Sequence, residues 1–106
     1  MEYRKINAIV HVDSLQAVEE VLQHLGAAAV AVTRIKGYGD YKNFYNPEWI
    51  SDQARIEVFV SHEQVEVVVE AICDAAHAGL DSDGMVAVLP VETLIHIRDF
   101  IPRPKS

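Results

Sequence analysis

The amino-acid sequence predicts an α+β fold: an antiparallel sheet with two helices on one face, in the order βαββαβ. Three observations carry that expectation. Apolar residues alternate singly in the segments starting at Lys5 and Ala54, the period of a half-buried strand. They recur every three to four residues from Leu15 and from Val65, the period of an amphipathic helix. Each half of the 106-residue chain thus reads strand, helix, strand, a weak internal repeat with the ferredoxin-like arrangement of a split βαβ unit.

In the first strand, Lys5 to Val12, residues Ile6, Ala8, Val10 and Val12 point one way and Asn7, Ile9 and His11 the other. Asp13 or Ser14 is the expected helix cap, with Gln16 three residues after Asp13. Leu15, Val18, Leu22 and Leu25 form the buried stripe, and Gly26 ends the helix. Ala27 to Tyr38 reads as a long second strand, punctuated by Gly37 and Gly39. Ala54 to Val60 is the third. Ser61 and Gln64 make a capping-box pattern ahead of a second helix with Val65, Val68, Val69, Ile72 and Ala76 on one face. The valines lower its intrinsic propensity, so periodicity and capping carry this helix. After a turn-rich stretch, Gly79 to Gly84, a short extended run from Met85 to Leu89 is stopped by Pro90. Thr93 to Arg98 is the expected last strand, and the tail 101–106 is expected to fray. The sheet face without helices then carries Ile9, Phe59, Ile95 and Ile97. An apolar patch of that kind marks an interface between copies.

The length suits one domain, residues 1–106. Nine basic residues against sixteen acidic ones give a formal charge of −7. That balance argues against nucleic acid and against an anionic membrane surface as partners. No apolar run approaches the ~20 residues of a membrane span, and none has the form of a signal peptide. A soluble cytoplasmic protein is the expectation. The single cysteine, Cys73, lies in the apolar helical pattern and is expected to be a small buried hydrophobe.

The stretch of residues 40–53 has no period, contains Pro47 and mixes charges with Tyr41, Phe44, Tyr45 and Trp49. It reads as an exposed loop, of a length usually tied to function or disorder. Its amphipathic aromatics are the side chains that anchor protein interfaces. Of the five histidines, His11, His24, His62, His77 and His96, no two are spaced i, i+4, and no Cys–His cluster suggests zinc. Ser82 lacks a nucleophile-elbow context, and no nucleophile–base constellation stands out, so an enzyme is not expected. Asp81 and Asp83 read as turn residues that bond their own backbone.

The run Thr33 to Lys42, TRIKGYGDYK, resembles the strand end of PII signal-transduction proteins, where a similar run leads into a long regulatory loop. KINAIV at residues 5–10, RIEVFV at 55–60, AGLDSDGM at 78–85 and IHIR at 95–98 match further stretches of that family in order and spacing. The resemblance spans about residues 4–99. It implies a homotrimer that binds an adenine nucleotide between subunits and controls a transporter or enzyme through the loop. Carried over residue by residue, Gly37 and Tyr38 fall on the adenine side. Gly79, Ser82, Asp83 and Gly84 fall in the phosphate loop, and His96 and Arg98 at the phosphate clamp. Arg55 keeps a basic group near the third strand.

The departures shift the expected ligand. Ser82 replaces the first glycine of the family's GDG, Met85 the lysine after it, His96 the first arginine of the pair, and Gln53 a further lysine. Tyr41 stands where the family's loop glutamine reads ATP and 2-oxoglutarate. With those cations gone, ADP, AMP or a cyclic nucleotide is favoured over ATP. The loop is shorter than the family's, and its modified tyrosine has no clear counterpart, so covalent modification is not carried over. The alternative is a trimeric ferredoxin-like protein of the metal-tolerance kind that binds divalent cations.

Overall fold

The computed structural model describes residues 2–27, 31–38 and 50–104. The elements are β1 (Tyr3–His11), α1 (Leu15–His24), β2 (Ala31–Tyr38), β3 (Ile50–Ser61), α2 (Val65–Ala76) and β4 (Gly84–Val91). The four strands form one antiparallel sheet in the order β2-β3-β1-β4. This is the ferredoxin-like arrangement, with β2 and β4 as its edges.

Strand alternation sorts the two faces. Ile6, Ala8 and Val10 of β1 and Ile56, Val58 and Val60 of β3 point to the helices and are buried. Val18 and Leu22 of α1 and Val68, Ile72 and Ala76 of α2 meet them, at the helical spacing expected. Full burial of each larger side chain contributes about 1.5–3 kcal/mol. Leu15, Leu25, Val65 and Val69 pack around the margin.

The helix ends differ in part from the expected caps. A single-turn 3-10 helix, Val12–Ser14, precedes α1, and its cap is His11, whose Nδ1 accepts from the Asp13 amide at 3.1 Å. Ser14 makes no side-chain cap bond, and Gln16 donates instead to Glu20 at 3.2 Å. At the other end, Gly26 takes φ +72 and the Ala27 amide returns to the Leu22 carbonyl at 2.8 Å, a glycine-terminated helix end. Gln64 Oε1 accepts from the Ser61 amide at 3.4 Å and its hydroxyl at 3.1 Å.

All four strand assignments change: Val12 leaves the first strand for the 3-10 turn, and Ala27, expected to open the second, closes the end of α1. The third strand starts at Ile50, not Ala54, because its first residues pair with the end of β2, Tyr38 with Ile50 and Lys36 with Asp52. The expected loop therefore loses its last residues to a β-ribbon. The fourth strand is Gly84–Val91, and Thr93 to Arg98 is not a strand: residues 93–96 are irregular and Ile97–Asp99 form a 3-10 turn. The reason is pairing. Tyr3 to Val10 of β1 are matched by Val91 to Gly84, so no length of β1 is left for a second segment. Pro90 is accommodated because β4 is an edge strand. Ile95 and Ile97 consequently do not lie on the sheet; they are 66% and 89% exposed. On the open face, Met85 pairs with Ile9 and Leu89 with Lys5, which is matched on its other side by Phe59.

Among the described residues no helix is long and apolar enough to cross a membrane.

Candidate functional site

The loop between α2 and β4 is the most structured candidate. The helix ends when His77 turns extended, its amide still bonded to the Cys73 carbonyl at 2.8 Å. Gly79 then takes φ +80 and Gly84 φ +105. Between them, Asp81–Asp83 form one 3-10 turn, closed by the Asp83 amide on the Leu80 carbonyl at 3.1 Å. The Asp83 carboxylate folds back over the loop. Its Oδ2 accepts from the amides of Ala78 at 2.9 Å, Gly79 at 2.9 Å and Leu80 at 3.4 Å. The Ala78 bond is the main cause that holds the Asp83 carboxyl below the ordinary aspartate value, against an opposing cost of burial, with Gly79, Leu80 and the nearby His77 adding to it. Convergent amides of this kind form an anion-binding concavity. Here the anion they hold is the chain's own.

Gly84 is needed for a different reason. A Cβ there would stand 1.8 Å from the Ile9 carbonyl oxygen and 2.8 Å from its carbon. The loop thus enters the sheet with its backbone pressed against β1, an approach only glycine permits.

Two clefts flank the loop. One, of about 380 Å³, lies between α2 and β4, with Val69, Ile72, Cys73, Met85 and Val86 in its lining. The other, of about 230 Å³, is lined by His11, Asp13, Ser14, Ala78 and Leu80 among others. Asp83 lines both. Cys73 is exposed, contrary to the sequence expectation. Ile72 faces the core, and one residue further on a helix turns about 100°, which carries the thiol into the first cleft beside His77. Among the described residues no group of three or more His, Cys, Asp or Glu side chains could hold a metal ion.

The sheet brings some of the sequence-identified residues to one end. The backbones of Gly37 and Tyr38 close β2 opposite Ser51 and Ile50. The start of β4 lies at the same end, because Gln53 and Gly84 pair with the adjacent residues His11 and Val10 of β1. They lie on opposite edges, however. Three strand spacings separate β2 from β4, roughly 14 Å at 4.7–4.9 Å each. Arg55 projects from the open face of β3, exposed, between Ile9 and Thr33. His96 and Arg98 are not gathered to the loop in the single chain. They follow the far end of β4, roughly 24 Å from Gly84 at about 3.4 Å per residue. Arg98 is 86% exposed, with Asp99 3.8 Å away. Tyr41, Phe44, Tyr45 and Trp49 lie outside the described residues.

The chain is similar to known proteins over most of its length. The family model "Nitrogen regulatory protein P-II" matches residues 3–100. The chain belongs to the PII family. A nitrogen regulatory protein P-II from Azospirillum brasilense is 36% identical over 102 residues, covering 90% of this chain and 91% of the relative. The Pasteurella multocida protein of the same name is 33% identical with the same coverage. Among solved structures, Arabidopsis thaliana PII bound to citrate superposes with a TM-score of 0.77 at 30% identity, covering 92% of this chain and 85% of that one. PII proteins are regulators that bind adenine nucleotides, form trimers and control transporters or enzymes. This chain is accordingly a PII-type regulatory protein with a ferredoxin-like fold.

Proposed function

We propose that three copies of this chain assemble with an adenine nucleotide between neighbours, ADP, AMP or a cyclic nucleotide rather than ATP, and that nucleotide occupancy sets the state of the connection between β2 and β3 toward a transporter or enzyme. The observation that carries the reading is the edge-to-edge separation: Gly37 and Tyr38 close one edge strand and the Asp83-braced loop opens the other. A nucleotide that uses both is best served by β2 of one copy and β4 of the next. The His96 and Arg98 segment suits the same arrangement, since it is exposed where a neighbour's loop can meet it. Asn7 on the open sheet face favours assembly too. Its Oδ1 is shut off from solvent with no partner among the described residues, and such an atom is costly unless something bonds it.

The preference for fewer phosphates follows from charge. Asp83 already occupies three loop amides, Asp81 adds a second carboxylate, and Met85 supplies no cation. Tyr41, Phe44, Tyr45 and Trp49 are the proposed partner anchors, by residue type.

Calorimetric titration with AMP, ADP, ATP and cyclic AMP, alone and with bicarbonate or 2-oxoglutarate, tests the reading. AMP, ADP or cyclic AMP is expected to bind more tightly than ATP. Tightest binding of ATP overturns the preference, and no heat with any of them overturns the nucleotide assignment.

A further inference from the structure

The helical layer carries an apolar groove on its outer surface, between α1 and α2. Two adjoining hollows form it, of about 280 and 390 Å³, and Ala71 lines both. Val21 and Leu25 of α1 line the smaller and Val67 of α2 the larger. Val21 with Leu25, and Val67 with Ala71, are spaced i, i+4, so two short apolar rows run along the groove. Val67 is 55% exposed and stands outside the core cluster, where a β-branched residue only weakens a helix.

Carboxylates rim these rows. Glu20 lines the smaller hollow, and Glu70 and Asp74 the larger. Glu66, Glu70 and Asp74 follow one another at i, i+4, a like-charge row that works against the helix. Asp74 also falls in the last turn of α2, which holds no basic residue, and a carboxylate there opposes the helix dipole. No Lys or Arg occurs from Ile6 to Thr33 or from Ile56 to Ile97, so neither helix supplies a balancing cation. An external cationic group would relieve all of these repulsions. A metal ion does not suit, because among the described residues no three ligating side chains converge. A second helical layer of this chain would bring the same negative charge.

We infer that the α1–α2 groove docks a basic amphipathic helix of a partner protein, its apolar side chains on the Val21–Leu25 and Val67–Ala71 rows and its Lys or Arg residues toward Glu20, Glu70 and Asp74. Helix-in-groove recognition uses anchors at this spacing. The cytoplasmic loops of membrane transporters are rich in Lys and Arg, so a target of the proposed regulatory kind offers such segments. The inference does not depend on nucleotide binding or on assembly, which as proposed above use the sheet edges and the open sheet face.

The probe is a helical peptide of about 16 residues, with a Leu stripe flanked by Lys, titrated into isotope-labelled full-length protein and followed by amide NMR. Shifts are expected to centre on Val21, Leu25, Val67 and Ala71. Glu70→Gln/Asp74→Asn is expected to weaken binding about tenfold and Val67→Ser about fivefold. Glu2→Gln/Glu92→Gln removes the same charge away from the groove and is expected to leave binding unchanged. No shifts at the groove overturn the inference, as does equal weakening by the two charge-removing pairs, which would mean attraction by net charge alone. Equal binding of the same peptide with Glu for Lys overturns it too. Shifts reproduced by Mg²⁺ alone would make the carboxylates an ion site, and the same amides moving on dilution of the protein alone would assign the groove to a second copy; either result overturns the inference. Glu70→Gln/Asp74→Asn is also expected to raise the Tm, since the row is repulsive, and a lowered Tm counts against docking by showing that those carboxylates serve the fold.

Discussion

The carboxylate of Asp83 holds the backbone amide of Gly79 at 2.9 Å, and with it the amides of Ala78 and Leu80. One side chain thus organises the whole turn from α2 into β4. Removing it in Asp83→Ala leaves those amides to solvent. Hydrogen exchange at residues 78–80 is expected to run about tenfold faster, while the amides of β1 and β3 keep their protection. Unchanged exchange at 78–80 would show that the turn holds itself.

The same contact has a pH signature. Bonds to the ionised form lower the Asp83 pKa from the ordinary 3.8, and a hydrogen bond from Lys5, at 2.7 Å, lowers that of Glu57 from 4.5. For a lowered carboxyl, the stabilising contribution is complete above the ordinary value and is lost as pH falls through the folded value. Side-chain NMR titration is expected to place both midpoints below those ordinary values. Lys5→Met should move the Glu57 midpoint up toward 4.5 and leave that of Asp83 in place; a joint shift would mean that the two groups titrate through a common unfolding.

The two loop glycines should respond differently to alanine. At Gly79 a Cβ meets nothing within 4 Å, so only the positive φ opposes it, costing about 1–2 kcal/mol. At Gly84 the Cβ would collide with the Ile9 backbone as well. Gly84→Ala is expected to cost at least about 3 kcal/mol in urea unfolding, since strain and a backbone clash combine. Equal costs at the two positions would mean that β1 yields easily at Ile9.

Met85 stands at the first residue of β4 beyond Gly84, where the family resemblance has a lysine, and is 66% exposed. Met85→Lys adds a cation beside the loop without disturbing the core. If missing cations limit the phosphate count, this substitution should raise ATP affinity about tenfold relative to AMP, the size of one charge-assisted hydrogen bond. Competition calorimetry measures the ratio, and no change would place the discrimination elsewhere.

The alternation from Ile6 to Val10, the helical spacing of Val18 with Leu22 and of Val68 with Ile72, and the glycines at 26, 79 and 84 were enough to read the fold class, most of the core and the position of the loop. Such signals are local. A face is buried or not according to a period of a few residues, and Gly26 and Gly79 mark backbone turns. The motifs around Gly37 and Gly84 likewise pointed to the family, because they are contiguous runs.

Tertiary structure decided what depends on pairing between distant segments. Thr93 to Arg98 has a passable strand composition, yet Gly84–Val91 takes the edge of β1, and a strand edge accepts one partner. Cys73 looks buried in an apolar helix, yet the rotation of α2 against the sheet turns it into a cleft. Strand order places Tyr38 and Gly84 at one end of the sheet but on opposite edges. No local period encodes that separation, because it arises from which strand lies beside which.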